Sequence, residues 1–296
     1  MVYLSRDLIG HETKTLYVIG NGFDLFHDIP SSYSHFYHWL KAKGMNDFIA
    51  KMESFFPSII NGEFLLWKDF ESALGKYDRE RIFNDATVKL DRKLDEETKY
   101  AANKLLDPVI LQIVPLIKEW AEWICDYKLS SINPKMLLPK ESWFISFNYT
   151  MTLEKIYHIP PERICHIHDS IKDNEIVVGH NNPMKIDEIG NEGREWYEES
   201  SHKSIVESMN KMVKNTYKIY TKHKDFFDKI KGIERIVILG HSMSDIDADY
   251  FGYIRGASVE DAHWHISKYS PSDEVQISKC LNKRKIDNRN RWIFNL

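Results

Sequence analysis

The sequence predicts an α/β protein built on a Rossmann-like parallel sheet, with a helical insertion between the first and second core strands. Short apolar runs with β-branched residues alternate with longer helical patterns along most of the 296 residues. This alternation is typical of parallel strands covered by helices on both faces. Because 43% of the residues are hydrophobic, the chain can bury a substantial core. We therefore predict a single α/β domain over residues 1–296.

Six segments have the character of buried strands. Each is a short apolar run, and several stop at a glycine or at polar turn residues, as strands of a parallel sheet do. The predicted strands are Leu16–Ile19, Trp143–Phe147, Arg163–His168, Glu175–Gly179, Arg235–Leu239 and His263–Ile266.

Residues 46–130 have a different pattern, because their apolar side chains recur at helical spacing. We predict that they form the helical insertion. The polar residues 181–201 predict a loop or lid. The lysine-rich residues 205–230 predict a further helix. Its lysines recur on one stripe, as expected for a helix face that is exposed to solvent.

The charge balance does not indicate a nucleic-acid or membrane partner. The chain carries 40 basic and 44 acidic residues, a formal net charge of −4, and such a charge would not steer it to a polyanion. No segment approaches the ~18 consecutive apolar residues of a membrane span, and the first residues do not resemble a signal peptide.

The three cysteines, Cys125, Cys165 and Cys280, are widely spaced and odd in number. This pattern argues against a disulfide framework and for a reducing compartment. None of them lies in a CxxC pair, so a thiolate zinc site is not indicated. We predict a cytoplasmic protein.

Polar clusters follow four of the predicted strands. In an open parallel sheet the carboxyl ends of the strands share one edge, and ligands bind in the crevice there. Side chains far apart in the sequence are therefore expected to converge on one site. The clusters are Gly20–Asp24, Ser146–Thr150, Cys165–Asp169 and Gly240–Asp245.

The first cluster is a strand-to-helix turn. Gly20 and Gly22, on either side of Asn21, would let a phosphate or another backbone segment approach closely. The third glycine of a GxGxxG motif is missing. Asp24 would hold a ribose hydroxyl or cap the turn. A tight turn with a capping aspartate explains the same residues without any ligand.

The second and third clusters offer an amide and two imidazoles. Asn148 would hold a ribose hydroxyl or orient a water, or would form an Asx-turn with its own backbone. His166 and His168 alternate on a predicted strand, so their side chains would share one face. Each is a candidate general base, since imidazole has an unperturbed pKa of ~6.5. Each is equally well explained as a hydrogen-bonded core histidine.

A metal site and a serine nucleophile are the other chemistries that we considered. His180, Asp24 and Asp245 could join the two histidines as ligands, but no HExxH or other dense ligand motif is present, and we predict no metal. Ser242 and Ser244 do not lie in a GxSxG elbow, which argues against a nucleophilic serine. The accessory candidates are Glu71, which a solvated helix face also explains, His166, His180 and His241.

The order of these motifs resembles the AbiH family of bacterial abortive-infection phage-resistance proteins. The matching segments are LYVIGNGFDLFHDIPSSYSHF, WKDFESAL, SFNYTMTLEKIY, CHIHDSIKDNEIVVGHNNP and VILGHSMSDIDADYF. This resemblance implies a role in antiviral defence, in response to a phage-derived trigger.

AbiH proteins in turn resemble, remotely, the sirtuin-like domains of bacterial immunity, which implies a sirtuin-like or DHS-like NAD-binding topology. By this resemblance Asn148 positions the ribose or water and His168 is the general base. The same resemblance implies that Gly20, Asn21, Gly22 and Asp24 line the diphosphate and ribose, with Ser242 and Asp245 on the far side of the pocket.

Three positions depart from the sirtuin-like pattern. Phe23 replaces a small residue, which would narrow the nucleotide pocket. Asp169 stands where those domains have a glycine, and Thr150 stands where they have an aspartate.

We therefore expect an anti-phage effector that binds and hydrolyses NAD or a related nucleotide. Two alternatives are a nucleotide-sensing module without turnover, and a metal-dependent nuclease or phosphohydrolase. The expected partner is a small nucleotide, with a homo-oligomer as a further candidate assembly.

Overall fold

A computed structural model of the chain describes residues 12–60, 62–87, 96–186, 196–271 and 273–296. The chain divides into two compact units. The first unit comprises Met1–Ser31, Lys118–Ile176 and Asn215–Leu296, and the second comprises Ser32–Ile117 and Val177–Lys214.

The first unit contains a six-stranded sheet in which every pairing is parallel. The strand order is β5-β4-β1-β6-β7-β8. This sheet, flanked by helices, confirms the predicted Rossmann-like α/β fold. Its strands are β1 (Thr15–Ile19), β4 (Trp143–Ser146), β5 (Ile164–His166), β6 (Ile233–Leu239), β7 (Ser258–Lys268) and β8 (Arg291–Asn295).

The register of the central strands brings their carboxyl ends to one level. Every residue of β1 is buried, as expected for a strand with neighbours on both edges and cover on both faces. Ile19, its last residue, lies opposite Ser146 of β4 and Leu239 of β6, and Ser146 lies opposite His166 of β5. The residues that follow these four strands therefore emerge side by side.

Helices follow most of the strands of the first unit, and the last part of α6 also belongs to this unit. The helix α11 follows the loop after β6 and contacts β7. The helices are α1 (Asn21–Phe26), α7 (Thr152–Lys155), α9 (Thr216–Lys222), α10 (Lys224–Lys229), α11 (Ala248–Ala257) and α12 (Asp273–Lys283).

The second unit is mainly helical and has an aromatic core. Tyr33 stacks on Phe70 at 5.2 Å, and Trp67 lies 6.3 Å from Phe70 between ring centroids. A short antiparallel hairpin pairs β2 (Ile59–Ile60) with β3 (Glu63–Phe64). The helices are α2 (Tyr33–Ala42), α3 (Asn46–Phe55), α4 (Phe70–Leu74), α5 (Arg79–Thr87), most of α6 (Glu96–Tyr127) and α8 (Trp196–Asn210).

The helices α2 to α6 fall between β1 and β4 in the chain, where the sequence predicted the helical insertion. The second unit also takes in Val177–Lys214, which the predicted boundaries of 46–130 do not include. Within the described residues one helical stretch, Tyr100–Ser131, is long and apolar enough to span a membrane, with a mean hydropathy of 1.2. Of the 18-residue window on which this assignment rests, 44% is buried inside the protein. The helix also contains two prolines, so the evidence for a membrane span is weak. The cytoplasmic location stays a prediction.

The predicted strand Glu175–Gly179 is wrong, because this segment forms no strand. Its end is held by other groups of the second unit. The N–H of Gly179 donates to Oε1 of Glu71 at 3.3 Å, and the N–H of His180 donates to the carbonyl of Met212 at 3.0 Å. The N–H of Gly179, which in a strand would donate to a neighbouring strand, therefore donates to the carboxylate of Glu71 instead.

The predicted strand Arg163–His168 ends at His166. The N–H of Ile167 still donates to Ser146, but the N–H of Asp169 turns back to the carbonyl of His166 at 3.0 Å. Asp169 has a φ of 61°, in the left-handed region that aspartate tolerates better than most residues. The expectation that His166 and His168 share one strand face is therefore wrong, since His168 lies in the turn.

The predicted helix over residues 205–230 is also wrong as a single element. α8 ends at Asn210, and Asn215 caps a new helix by accepting the N–H of Lys218. The described part of the predicted loop or lid includes the start of α8 at Trp196, while residues 187–195 lie outside the described residues. β7 extends well beyond the predicted strand, and β8 was not predicted.

Candidate functional site

The four polar clusters contact one another at the carboxyl edge of the sheet. The N–H of Gly20 donates to Leu239 at 3.0 Å, and the N–H of Gly22 donates to Gly240 at 2.8 Å. The side-chain amide of Asn148 donates to the carbonyl of Gly20 at 3.2 Å. The turns after β1, β4 and β6 are thus hydrogen-bonded together, and the β5 turn joins them through the side chains described below.

The glycines of the first turn allow two backbone segments to pack against each other. A Cβ on Gly20 would lie 2.6 Å from the carbonyl oxygen of Gly240, and one on Gly22 would lie 2.8 Å from the Cα of Gly240. Gly240 itself has a φ of 66°, and a Cβ there would lie 2.0 Å from the nitrogen of Phe23. Close backbone approach therefore explains all three glycines.

Phe23 points into the protein core. Its ring is fully buried and lies 4.6 Å from His27 and 5.6 Å from Tyr157, between centroids. His27 is itself held in place, since Nδ1 lies 2.8 Å from the carbonyl of Phe23 and Nε2 lies 2.6 Å from the Tyr157 hydroxyl. Burial lowers the pKa of His27, which favours its neutral form here.

Asp24 is a carboxylate with no solvent exposure, one turn into α1. The hydroxyl of Thr150 donates to its Oδ2 at 2.5 Å. Burial raises the pKa of Asp24 from 3.8 to about 6, against the opposing effect of hydrogen bonds from Thr150, Thr152 and Asn148. Its Oδ1 is buried and has no hydrogen-bond partner among the described residues. Thr150, which follows β4, thus hydrogen-bonds to a carboxylate of α1, the helix that follows β1.

Asn148 connects β4 to the first turn. Its side-chain amide reaches across to Gly20, as described above, and its own N–H donates to the hydroxyl of Ser146 at 3.2 Å. Asn148 is 7% exposed. With its amide hydrogens directed to Gly20 and towards Asp24, its Oδ1 is the atom that would accept a hydrogen bond from a ribose hydroxyl or a water.

A buried carboxylate joins two histidines from different turns. Nε2 of His168 lies 3.5 Å from Oδ1 of Asp247, and Nε2 of His241 lies 3.7 Å from Oδ2 of the same residue. The three residues are 3%, 7% and 9% exposed in the order His168, His241 and Asp247. Phe147 packs edge-on against both imidazoles, at 5.2 Å from His168 and 4.2 Å from His241.

Hydrogen bonding assigns the tautomer of His241. The N–H of Met243 donates to Nδ1 of His241 at 2.8 Å, so the proton of the neutral ring lies on Nε2 and points to Asp247. Met243 has a φ of 53°, and this left-handed turn brings its N–H back to the imidazole. The sequence prediction missed Asp247, although the run Ser-Asp-Ile-Asp offered two aspartates, Asp245 and Asp247.

His166 contacts the backbone of Asn148 and a carboxylate of the following helix. Its Nδ1 lies 3.2 Å from the carbonyl of Asn148, and its Nε2 lies 3.1 Å from Oε1 of Glu154. Glu154 comes from α7, the helix after the Asn148 turn. His166 therefore contacts the backbone of the site.

Three predicted ligand contacts lie at the surface. Asp245 has a side chain 63% exposed and accepts a hydrogen bond from Lys279 at 2.6 Å, which lowers the pKa of Asp245. Ser242 is exposed, and so is Asn21, whose Oδ1 accepts the hydroxyl of Ser31 at 2.6 Å.

Glu71 and His180 belong to the second unit, where both have internal partners. Glu71 accepts Lys214 at 2.7 Å, and the Lys214 amine is fully buried. Nε2 of His180 lies 3.1 Å from the carbonyl of Met209, and its Nδ1 accepts the N–H of Asn182 at 3.2 Å. Burial lowers the pKa of His180.

No group of three or more His, Cys, Asp or Glu side chains in the described part of the chain is placed to hold a metal ion. A cavity of about 390 Å³ in the first unit shares no lining residue with the clusters described above. It is lined by Cys125, Asp126, Leu129, Ser130, Ile132, Asn133, Pro134, Lys155, Ile156 and His158.

Comparison with known proteins identifies a family. No curated protein and no solved structure matches the chain. The family profile described as "Bacteriophage abortive infection AbiH" matches residues 16–268, which include all four strand-end clusters and Asp247. The chain therefore belongs to the AbiH family of bacteriophage abortive-infection proteins.

Proposed function

We propose that the chain takes part in phage abortive infection by hydrolysing the N-glycosidic bond of a ribosyl nucleotide at the carboxyl edge of its sheet. NAD is the first compound to assay, because the resemblance to sirtuin-like domains suggests it. The pairing of His168 with Asp247 is the observation that carries the proposal.

A carboxylate beside an imidazole makes that imidazole a better general base. Asp247, whose Oδ1 lies 3.5 Å from Nε2 of His168, orients the ring and stabilises the imidazolium that forms when His168 takes a proton. Burial strengthens this interaction, since a charge pair of low exposure is weakly screened. His241 approaches the other oxygen of Asp247 and fixes the orientation of the carboxylate.

The reaction needs a water, a leaving base and an acceptor for one proton. The glycosidic bond breaks through an oxocarbenium-like state and its electron pair leaves with the base. The water oxygen bonds to the anomeric carbon, and His168 takes the proton that this water loses. Asn148 orients the water or a ribose hydroxyl through its Oδ1.

The test compares variants in bacteria that express the chain and are infected with a panel of phages. His168→Gln and Asp247→Asn remove the base and its orienting carboxylate while keeping side-chain size. His263→Gln is the matched control, because His263 is exposed on β7 and stacks on Trp292. Phage plating and cellular nucleotide pools are measured together.

We expect the unaltered chain and the control to deplete a ribosyl nucleotide during infection and to protect the culture. Both site variants should lose depletion and protection. Protection by His168→Gln and Asp247→Asn at the level of the unaltered chain would refute the proposal.

A nucleotide-sensing module without turnover is the second candidate. The buried Oδ1 of Asp24 supports it, because this oxygen has no hydrogen-bond partner among the described residues and a ligand hydroxyl could donate to it without any bond being broken. This function predicts that a nucleotide raises the melting temperature of the purified protein and is recovered unchanged. Release of a free base from that nucleotide would exclude it.

A further inference from the structure

Dinucleotide sites of Rossmann-like folds hold the diphosphate in a characteristic way. Successive backbone N–H groups of the glycine-rich turn, together with the N-terminus of the next helix, point at the phosphate oxygens. The glycines leave room for the phosphate to approach the backbone. A turn that serves this purpose needs N–H groups directed outward and open space above its glycines.

Three N–H groups of the first turn donate to carbonyl oxygens of the protein. The N–H of Gly20 donates to Leu239, that of Gly22 to Gly240 at 2.8 Å, and that of Phe23 to Gly20 at 3.0 Å. The space above Gly20 and Gly22 is occupied by the backbone of Gly240. Three of the backbone donors and the open space above both glycines are therefore lacking at this turn, and the residues do not fit the group that the resemblance implies.

The turn after β6 uses its N–H groups in the same way. The N–H of Gly240 donates to the hydroxyl of Ser267 at 2.8 Å, and that of Met243 donates to His241 at 2.8 Å. In both turns these backbone N–H groups donate to other groups of the protein.

Two lysines near these turns are each neutralised by an aspartate. Lys222 donates to Asp169 at 2.5 Å and Lys279 donates to Asp245 at 2.6 Å. A diphosphate would have to compete with these carboxylates for either cation. The charges of the two pairs thus disfavour a dianionic ligand.

On the basis of the proposed function, we infer that the site recognises its substrate through the ribose and the base, and that a diphosphate and second nucleoside add no affinity. The substrate class is a nucleoside or nucleoside monophosphate with an N-glycosidic bond. Asn148 and His168 engage the ribose, and the glycine turn serves only to pack β1 against β6.

Calorimetric titration of the purified full chain with two matched series tests this inference. One series is nicotinamide riboside, nicotinamide mononucleotide and NAD, and the other is adenosine, AMP and ADP. In the series that binds, we expect Kd to change by less than about threefold from the first compound to the last. Inorganic pyrophosphate should not compete.

Lys222→Ala and Lys279→Ala probe the two cations without disturbing the core, because both side chains are more than half exposed. Each should leave the Kd of NAD or ADP within about twofold. A Kd for NAD or ADP about 30-fold below that of the nucleoside, or competition by pyrophosphate, would overturn this inference alone. Binding of none of the six compounds would overturn the proposed function and this inference with it.

Discussion

Asp24 should make the stability of the protein depend on pH in a direction opposite to that of most carboxylates. Its pKa is raised from 3.8 to about 6 by burial. For a raised carboxyl pKa, the stabilisation is fully present below the unfolded pKa and is lost as pH rises through the folded pKa. A rise of about 2 in pKa corresponds to a loss of about 3 kcal/mol, of which roughly half falls between pH 5 and pH 8.

Asp24→Asn removes this charge and keeps the shape of the side chain. The amide oxygen can still accept the Thr150 hydroxyl, so the bond at 2.5 Å has a counterpart in the variant. We expect the unfolding free energy of the variant, relative to the unaltered protein, to rise by roughly 1 to 2 kcal/mol between pH 5 and pH 8. Taking the difference between two pH values cancels any constant cost of the substitution.

Urea denaturation at both pH values measures this difference. Asp28→Asn, at an exposed carboxylate four residues along the chain, is the control for removing a carboxylate from the same segment. If Asp24→Asn differs from the unaltered protein by the same free energy at pH 5 and pH 8, then Asp24 is not a buried group that ionises near pH 6, and the reasoning fails.

Three further predictions concern residues that stabilise the inside of one unit or the other. Gly240→Ala should destabilise the protein by more than about 3 kcal/mol in urea denaturation, because its Cβ would overlap the backbone of α1. The control, Gly252→Ala, has no neighbour within 4 Å of the added carbon. It should be neutral or stabilising by up to about 1 kcal/mol. The pKa of His27 is lowered in the folded protein, so its protonation below pH ~6.5 opposes folding. In His27→Gln the melting temperature should therefore fall less on acidification than it does in the unaltered protein. An unchanged dependence of the melting temperature on pH would contradict this. Lys214→Met should cost about 3 kcal/mol, because it removes the buried cation that pairs with the largely covered carboxylate of Glu71. Adding Glu71→Gln should recover part of that loss, and a double variant less stable than the single one would count against the pairing.

The sequence predicted the sheet edge well because the relevant signals are local. A buried apolar run followed by polar residues identifies a strand end, and the parallel arrangement then requires the ends to meet. This reasoning predicted that Asn148 and His168 lie at the same edge of the sheet, and they follow the adjacent strands β4 and β5. It did not need the distances, only the topology.

Asp247 shows where local signals are insufficient. Asp245 and Asp247 are two residues apart in the same loop, and either could have turned inward. The left-handed turn at Met243, which brings its N–H to His241, precedes an outward Asp245 and an inward Asp247. Asp245 pairs with Lys279 of α12, whereas Asp247 lies beside His168 and His241, so the choice depends on residues that are mostly distant in sequence. The segment before His180 shows the same limit, since Glu71, more than a hundred residues earlier, takes a backbone hydrogen bond of the predicted strand.

The glycines of the first turn show why one sequence pattern supports two functions. A glycine permits close approach, but the pattern does not say whether the approaching group is a phosphate or another part of the chain. Here the approaching group is Gly240, and glycine is needed on both sides of that contact. Since a phosphate cannot occupy space that a backbone already fills, the two explanations exclude each other at this turn. A Gly-Asn-Gly motif in an AbiH sequence is therefore evidence for diphosphate binding only where the β6 turn does not pack against it.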